Sequence, residues 1–349
     1  MRAIVVLAMM LVGCRDRATK VSPTPPPTPA PAPAPAVLDL SFVRGDVVVG
    51  EERDGHARPL RLDPATATWV ALGSGEAHLF STGFRLGDGL LCIATVGDTE
   101  ADHVEQLAIV RGAEVSRLGP TATMIRNPSV IGDTVVFESS RESFRDLYAV
   151  TAAGAVRRLT DDAAGNFEPA LSPDGAQVAF ASSRDGDAEL YVQPLAGGAA
   201  RRLTASGRDD WSPRWSPDGA ALAFLSDRDG SARIYTVAAA GGDARRLSSD
   251  PGAAVEDQPR WSPDGRRLAF VRTEAGRGTV VLAEVATRRV RTLTPDTAAD
   301  LAVEWSPDGA AVVVLRKRGR ATAATFVRVA DAAELGAVPT TATYLRWMP

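Results

Sequence analysis

Acidic residues recur at a near-constant interval through the C-terminal half of the sequence: Glu168, the pair Asp209 and Asp210, the pair Glu256 and Asp257, and Asp300. Carboxylates gathered around one opening would attract a cation or a basic peptide, and charge in a low-dielectric funnel is felt strongly. Trp211, beside Asp210, is either an aromatic residue of such a rim or a core residue. The plain alternative makes all of them solvated turns and strand starts. Other chemistry is thin. No Gly-x-Ser-x-Gly, phosphate-binding loop or His-Glu-x-x-His string occurs. The three histidines, His56, His78 and His103, are too dispersed for a metal spacing, and Gly73-Ser74-Gly75 has no strand–helix context. Arg316-Lys317-Arg318-Gly319-Arg320 reads as a solvated hairpin, with contact to anionic lipid as the functional rival. No catalytic set, metal or cofactor is expected.

A different chemistry is written at the N-terminus. Met1-Arg2 precedes an apolar run, Ala3 to Val12, that is too short to span a bilayer as a helix. It ends in Leu11-Val12-Gly13-Cys14, which resembles a bacterial lipobox, where small residues precede a thiol that accepts diacylglycerol and becomes the new N-terminus. That implies a signal peptide over 1–13 and lipidation at Cys14. From Val21 to Ala36 a proline stands at nearly every second position, which forbids helix and favours extended polyproline II. Its 14 residues from Pro23 would reach roughly 40 Å, so 14–36 reads as a lipidated tether. Arg15, not Asp, follows Cys14, which favours the outer membrane or cell surface over the inner membrane. Cys92, within Leu90-Leu91-Cys92-Ile93, reads as an inert core thiol. A formal charge of −4 on 349 residues gives no general attraction to nucleic acid.

These side chains must be positioned by a repeated element. Ser-Pro-Asp-Gly occurs at Ser172–Gly175, Ser216–Gly219, Ser262–Gly265 and Ser306–Gly309, at intervals of 44, 46 and 44 residues. A fixed period in the forties marks a propeller or another array. Pro at the second position and Gly at the fourth suit a type I turn. Before each turn stands an apolar residue: Leu171, Trp215, Trp261, Trp305. After it come an apolar strand, a polar hairpin that is Arg184-Asp185-Gly186 in one unit and Arg228-Asp229-Gly230 in the next, a strand with an aromatic residue, Gly197-Gly198 or Gly241-Gly242, and a strand ending in Arg-Arg-Leu-Thr or Arg-Arg-Leu-Ser. Four short antiparallel strands per period make one propeller blade. Worn copies begin near Asn127, Leu86 and Arg44, and Tyr344-Leu345-Arg346-Trp347 starts one more. From Val43 to Trp347 there are 304 residues, seven steps of about 43. The expected fold is all-β: a β-propeller over 37–349 with seven four-stranded blades, closed by the C-terminal strand. Six blades stay open as the alternative, as does which of Val43 and Trp347 fills the innermost slot.

The unit Trp-Ser-Pro-Asp-Gly, apolar strand, Ser-x-Arg-Asp-Gly, Ile-Tyr strand, Gly-Gly, Arg-Leu-Thr resembles the TolB-type propeller repeat, from about Asn127 to Asp308. The resemblance specifies a blade and no activity. It departs from TolB in two ways, because the Pro-rich tether leads straight into the first blade without an α/β domain and the chain reads as lipid-anchored. TolB-type propellers also cap peptidases, whose hydrolase domain would follow the ring, and some belong to sugar-acid lyases. The function expected is therefore a monomeric cell-envelope lipoprotein acting as a non-catalytic protein-interaction scaffold through its rim or channel mouth, with envelope proteins or peptides as partners. A glycan, small-molecule or metal-binding propeller is one alternative; a lyase or hydrolase using channel carboxylates and arginines is the other.

Overall fold

The computed structural model describes residues 38–53, 56–73, 79–96, 104–140, 145–248, 252, 254–295 and 298–349. The segments read as signal peptide and tether, with Cys14, and the Asp54-Gly55 pair, His78 and His103 lie outside the described residues. Those described form 28 strands, β1 to β28 in chain order, arranged as seven four-stranded antiparallel sheets with no helix. Six sheets take four consecutive strands each, beginning with β4 (Leu79–Leu86), β8 (Ile125–Ile131), β12 (Asn166–Leu171), β16 (Asp210–Trp215), β20 (Val255–Trp261) and β24 (Ala299–Trp305).

The seventh sheet closes the ring. Its order is β28 (Tyr344–Met348), β1 (Asp46–Arg53), β2 (His56–Asp63) and β3 (Thr68–Ala71), so the two ends of the domain share one sheet. Trp347 pairs with Val47 and Leu345 with Val49. Closure gives the edge of β1 a partner, and an unpaired edge is a template for aggregation. Trp347 therefore takes the innermost slot, and Val43 lies buried in the turn ahead of β1, its amide bonded to the Leu40 carbonyl at 2.9 Å. Seven blades, not six, make the ring.

Each Ser-Pro-Asp-Gly folds as its residue types require. The glycine amide returns to the serine carbonyl at 2.8–2.9 Å at all four turns. Gly175, Gly219, Gly265 and Gly309 have φ between +68° and +70°, a region costly to any residue with a Cβ. The serine hydroxyl donates to the aspartate two residues on and accepts the amide five residues on, as in Ser262 with Asp264 at 2.6 Å and Arg267 at 2.9 Å. The tryptophan before the turn ties blades together. Trp215, Trp261 and Trp305 each donate the indole N–H at 2.9 Å to the preceding blade, on the carbonyls of Ala170, Arg214 and Arg260.

Apolar cores lie between neighbouring blades, which is why β13 (Gln177–Ser182) and β17 (Ala221–Ser226) are buried on both faces. Phe180 pairs across strands with Tyr191, and Phe224 with Tyr235, each at 5.9 Å between ring centres. The threonine that ends Arg-Arg-Leu-Thr, or Arg-Thr-Leu-Thr in one blade, caps the third strand: Thr160, Thr204 and Thr294 accept the amides of Leu147, Leu190 and Val280 at 2.8–2.9 Å. Cys92 is fully buried, and burial pushes its thiol up to about 12, an inert core residue. The basic run is not a solvated hairpin throughout. Arg316 belongs to β25 (Ala311–Arg318) and is 2% exposed, because Asp300 at 2.7 Å and Glu334 at 3.2 Å draw it inward.

Candidate functional site: the channel of the ring

The innermost strand of each blade faces the axis, and most carry a bulge there. The register of β8, β12, β16 and β20 slips at Asn127, Glu168, Ser212 and Gln258. These four residues have φ between +48° and +55°, and a proline follows each: Pro128, Pro169, Pro213 and Pro259. Proline suits the position because a bulge leaves one residue unpaired, so the missing N–H costs nothing. Two of the left-handed residues, Glu168 and Ser212, are held by a glutamate of the preceding blade. Glu138, on β9 (Thr134–Ser139), accepts from the Glu168 amide at 2.5 Å and from Asn127 Nδ2 at 2.6 Å. Glu168 in turn accepts the Ser212 amide at 2.5 Å and hydroxyl at 2.9 Å. In β4 the place is taken by Gly83, where a Cβ would collide with Arg346 and Tyr344.

These strands enclose a cavity of about 670 Å³, within the range of small-ligand sites. One residue ahead of each pre-turn position lines it: Phe84, Ser129, Ala170, Arg214, Arg260, Glu304 and Arg346, one per blade. Prolines 128, 169 and 259 and the rings of Trp215, Trp261 and Tyr344 complete the wall. Four arginines, Arg85, Arg214, Arg260 and Arg346, therefore share the lining with one carboxylate side chain, Glu304, and with Pro349. Glu304 binds Arg260 Nε at 2.6 Å and also Arg346. Arg346 donates Nε to the Tyr344 hydroxyl at 2.7 Å, and Tyr344 donates to the Thr82 carbonyl at 2.5 Å. Burial alone would raise the Glu304 carboxyl, but the charges of Arg260 and Arg346 hold it below the usual range. Burial raises the Tyr344 hydroxyl. Arg214 is pushed down to about 10, first by burial and then by repulsion from Arg260 and Arg346.

The acidic residues singled out from the sequence sit elsewhere. Asp210, Glu256 and Asp300 are buried at strand starts inside the blades, where each pairs with an arginine of its own blade: Arg228 at 2.7 Å, Arg272 at 3.0 Å and Arg316 at 2.7 Å. Asp209 and Asp257 are exposed and accept backbone amides, from Ala188 at 2.9 Å and Gln258 at 2.7 Å. Trp211 packs against the cores on both sides of its blade. Glu168 braces the bulge of the next blade. The cavity lining includes none of the seven. Arg214, Arg260, Glu304 and Arg346 were not singled out from the sequence, although each is the residue just before the tryptophan in Ser-Pro-Arg-Trp, Gln-Pro-Arg-Trp, Val-Glu-Trp and Leu-Arg-Trp; Tyr344, two residues ahead of Arg346, has no such signal. Among the described residues, no three His, Cys, Asp or Glu side chains come together as a metal set.

Seven radial sheets around a basic axial cavity define a seven-bladed β-propeller. A TolB beta propeller domain matches residues 152–335, more than half of the sequence, and the chain belongs to that family. The TolB homolog of Chlorobium luteolum is 35% identical over 69 residues, 20% of this chain and only 16% of the relative's own length. TolB of Acinetobacter baumannii superposes with a TM-score of 0.54 at 20% identity, over 86% of this chain and 81% of that one. A Mycobacterium tuberculosis puromycin-hydrolyzing peptidase gives 0.66 at 18%, over 89% of this chain and 56% of the peptidase. Identities this low speak to the fold alone.

Proposed function

We propose that this chain is a cell-envelope lipoprotein, anchored through Cys14 and the Pro-rich tether, whose propeller is a non-catalytic scaffold that docks protein partners at its channel. The observation that carries the reading is the channel wall: seven inner strands deliver fixed guanidinium groups, indole rings and prolines to one cavity. Rigid aromatic and arginine side chains are the residues that dominate protein recognition. A lyase or hydrolase finds its footing in the Arg260–Glu304–Arg346–Tyr344 cluster, yet its acid–base groups are tuned the wrong way. A base works best with a pKa near the working pH, whereas Glu304 is held low and Tyr344 is pushed high.

Crosslinking in intact cells, followed by recovery of the full chain, is expected to bring down one stoichiometric envelope protein. Repeated recovery of the chain alone contradicts the scaffold reading. Cys14→Ser is expected to move the protein from the membrane fraction to the soluble fraction; unchanged membrane association would remove the anchor.

A further inference from the structure

Arg214 differs from its two companions in the channel. Arg260 and Arg346 share Glu304 between them. The one hydrogen bond of the Arg214 side chain among the described residues runs to the carbonyl of Pro213, at 3.2 Å. Glu168 lies in electrostatic range of Arg214 but gives its Oε2 to the amide and hydroxyl of Ser212. Arg85, at the edge of the cavity, is already paired with Asp46. A guanidinium presents five N–H donors in a planar fork that matches a carboxylate bidentately, so Arg214 keeps most of its donors for something else. Arg260 and Arg346 add to this. Their bonds to Glu304, Tyr344 and the Pro259 carbonyl leave each guanidinium with donors to spare.

The surroundings disfavour this arrangement unless an anion joins it. A partly buried charge without a partner is costly, and the three guanidinium groups repel one another through a low-dielectric cavity. The supporting wall is stiff. Pro169 and Pro259 lock the bulges on either side of Pro213-Arg214, and the indole of Trp261 holds the Arg214 carbonyl at 2.9 Å. The arginine backbone is thereby fixed before any ligand arrives, which lowers the cost of binding.

We infer that the channel binds a carboxylate group, seated on Arg214 and flanked by the remaining donors of Arg260 and Arg346. The inference rests on the reading of the channel as the docking site and names the chemistry that the site takes. That carboxylate has two sources, a free small acid or an acidic segment of a partner protein.

Calorimetric titration of the full chain at low salt, with succinate and separately with hexaglutamate, tests it. At least one of the two is expected to bind, at least about tenfold more weakly to Arg214→Gln, and with intermediate affinity to Arg214→Lys, which keeps the charge but not the fork. Binding of succinate alone identifies a small acid, and binding of hexaglutamate alone identifies an acidic segment. Circular dichroism establishes that each variant is folded; should Arg214→Gln fail to fold, wild-type affinity in Arg214→Lys overturns the fork. No binding of either ligand at millimolar concentration, or equal binding by wild type and Arg214→Gln, overturns the inference. The crosslinking experiment reports separately. A recovered partner without carboxylate binding removes this inference alone, and carboxylate binding without a recovered partner removes the docking reading alone.

Discussion

Glu304 and Glu138 both stand beside the inner strands, yet their environments push their carboxyl groups in opposite directions. Burial opposes ionisation of Glu304, but two guanidinium groups overcome it and the folded pKa falls below the ordinary value. Its stabilisation is thus complete above the ordinary carboxylate range and is lost as pH falls through the folded value. Glu304→Gln is expected to cost about 3 kcal/mol at pH 7, since it leaves two partly buried cations without their anion, with the deficit shrinking below about pH 4. Glu138 runs the other way. Burial raises its carboxyl, and among the described residues Oε2 has no hydrogen-bond partner, with Arg145 no nearer than 3.6 Å. What it contributes is present at acid pH and lost as pH rises through its folded value. Glu138→Gln keeps an acceptor for Asn127 and the Glu168 amide, so it is expected to equal or exceed wild type at pH 7 and to lose that advantage on acidification. Urea midpoints at pH 7 and pH 4 read both variants, and parallel behaviour of the two would contradict these assignments. Neither role was legible in the sequence. A bulge shifts the two-residue alternation of a strand, so the acidic residues at the strand starts, which stand ahead of it, do not report the face on which Arg214 or Glu304 emerges.

At the scale of the element, the turns were legible and the inner strands were not. Ser-Pro-Asp-Gly encodes its own geometry: proline fixes one φ, glycine permits a positive one, and serine and aspartate bond within the turn. Nothing distant is required, so four residues sufficed to place four turns. The acidic strand starts illustrate the opposite case. Asp210 and Glu256 were readable as charges, but Arg228 and Arg272, which pair with them, are 18 and 16 residues away and reach them only once the hairpin has formed. Equivalent turns should have equivalent energetics. Gly175→Ala, Gly219→Ala, Gly265→Ala and Gly309→Ala place a Cβ at the same φ, with nothing closer than 3.4 Å to the added atom. Each is expected to cost about 1–2 kcal/mol through backbone strain alone. Chemical denaturation of the four variants checks this, and a spread much wider than 1 kcal/mol would show that the turns are not interchangeable.

The molecule as a whole depends on joining its two ends. The core between the last blade and the first contains Val313, Leu315 and Phe326 from one side and Val47, Val49, Leu345 and Trp347 from the other. Phe326 meets Trp347 edge to face at 5.5 Å. The same strand brings Tyr344 and Arg346 to the channel, so closing the ring and completing the basic cavity are one event. Closure was legible in the repeat, because Leu345-Arg346-Trp347 matches the start of a blade one period after Trp305. The choice between Val43 and Trp347 was not legible, since both are apolar and both end up buried in the same core. Hydrogen exchange of the full chain, resolved to residues 344–348 and 46–50, tests closure most directly. The amides of the two segments are expected to share one high protection that is lost only on global unfolding. Exchange of 344–348 at the rate of a free tail, with 46–50 still protected, would contradict a ring closed by its C-terminal strand.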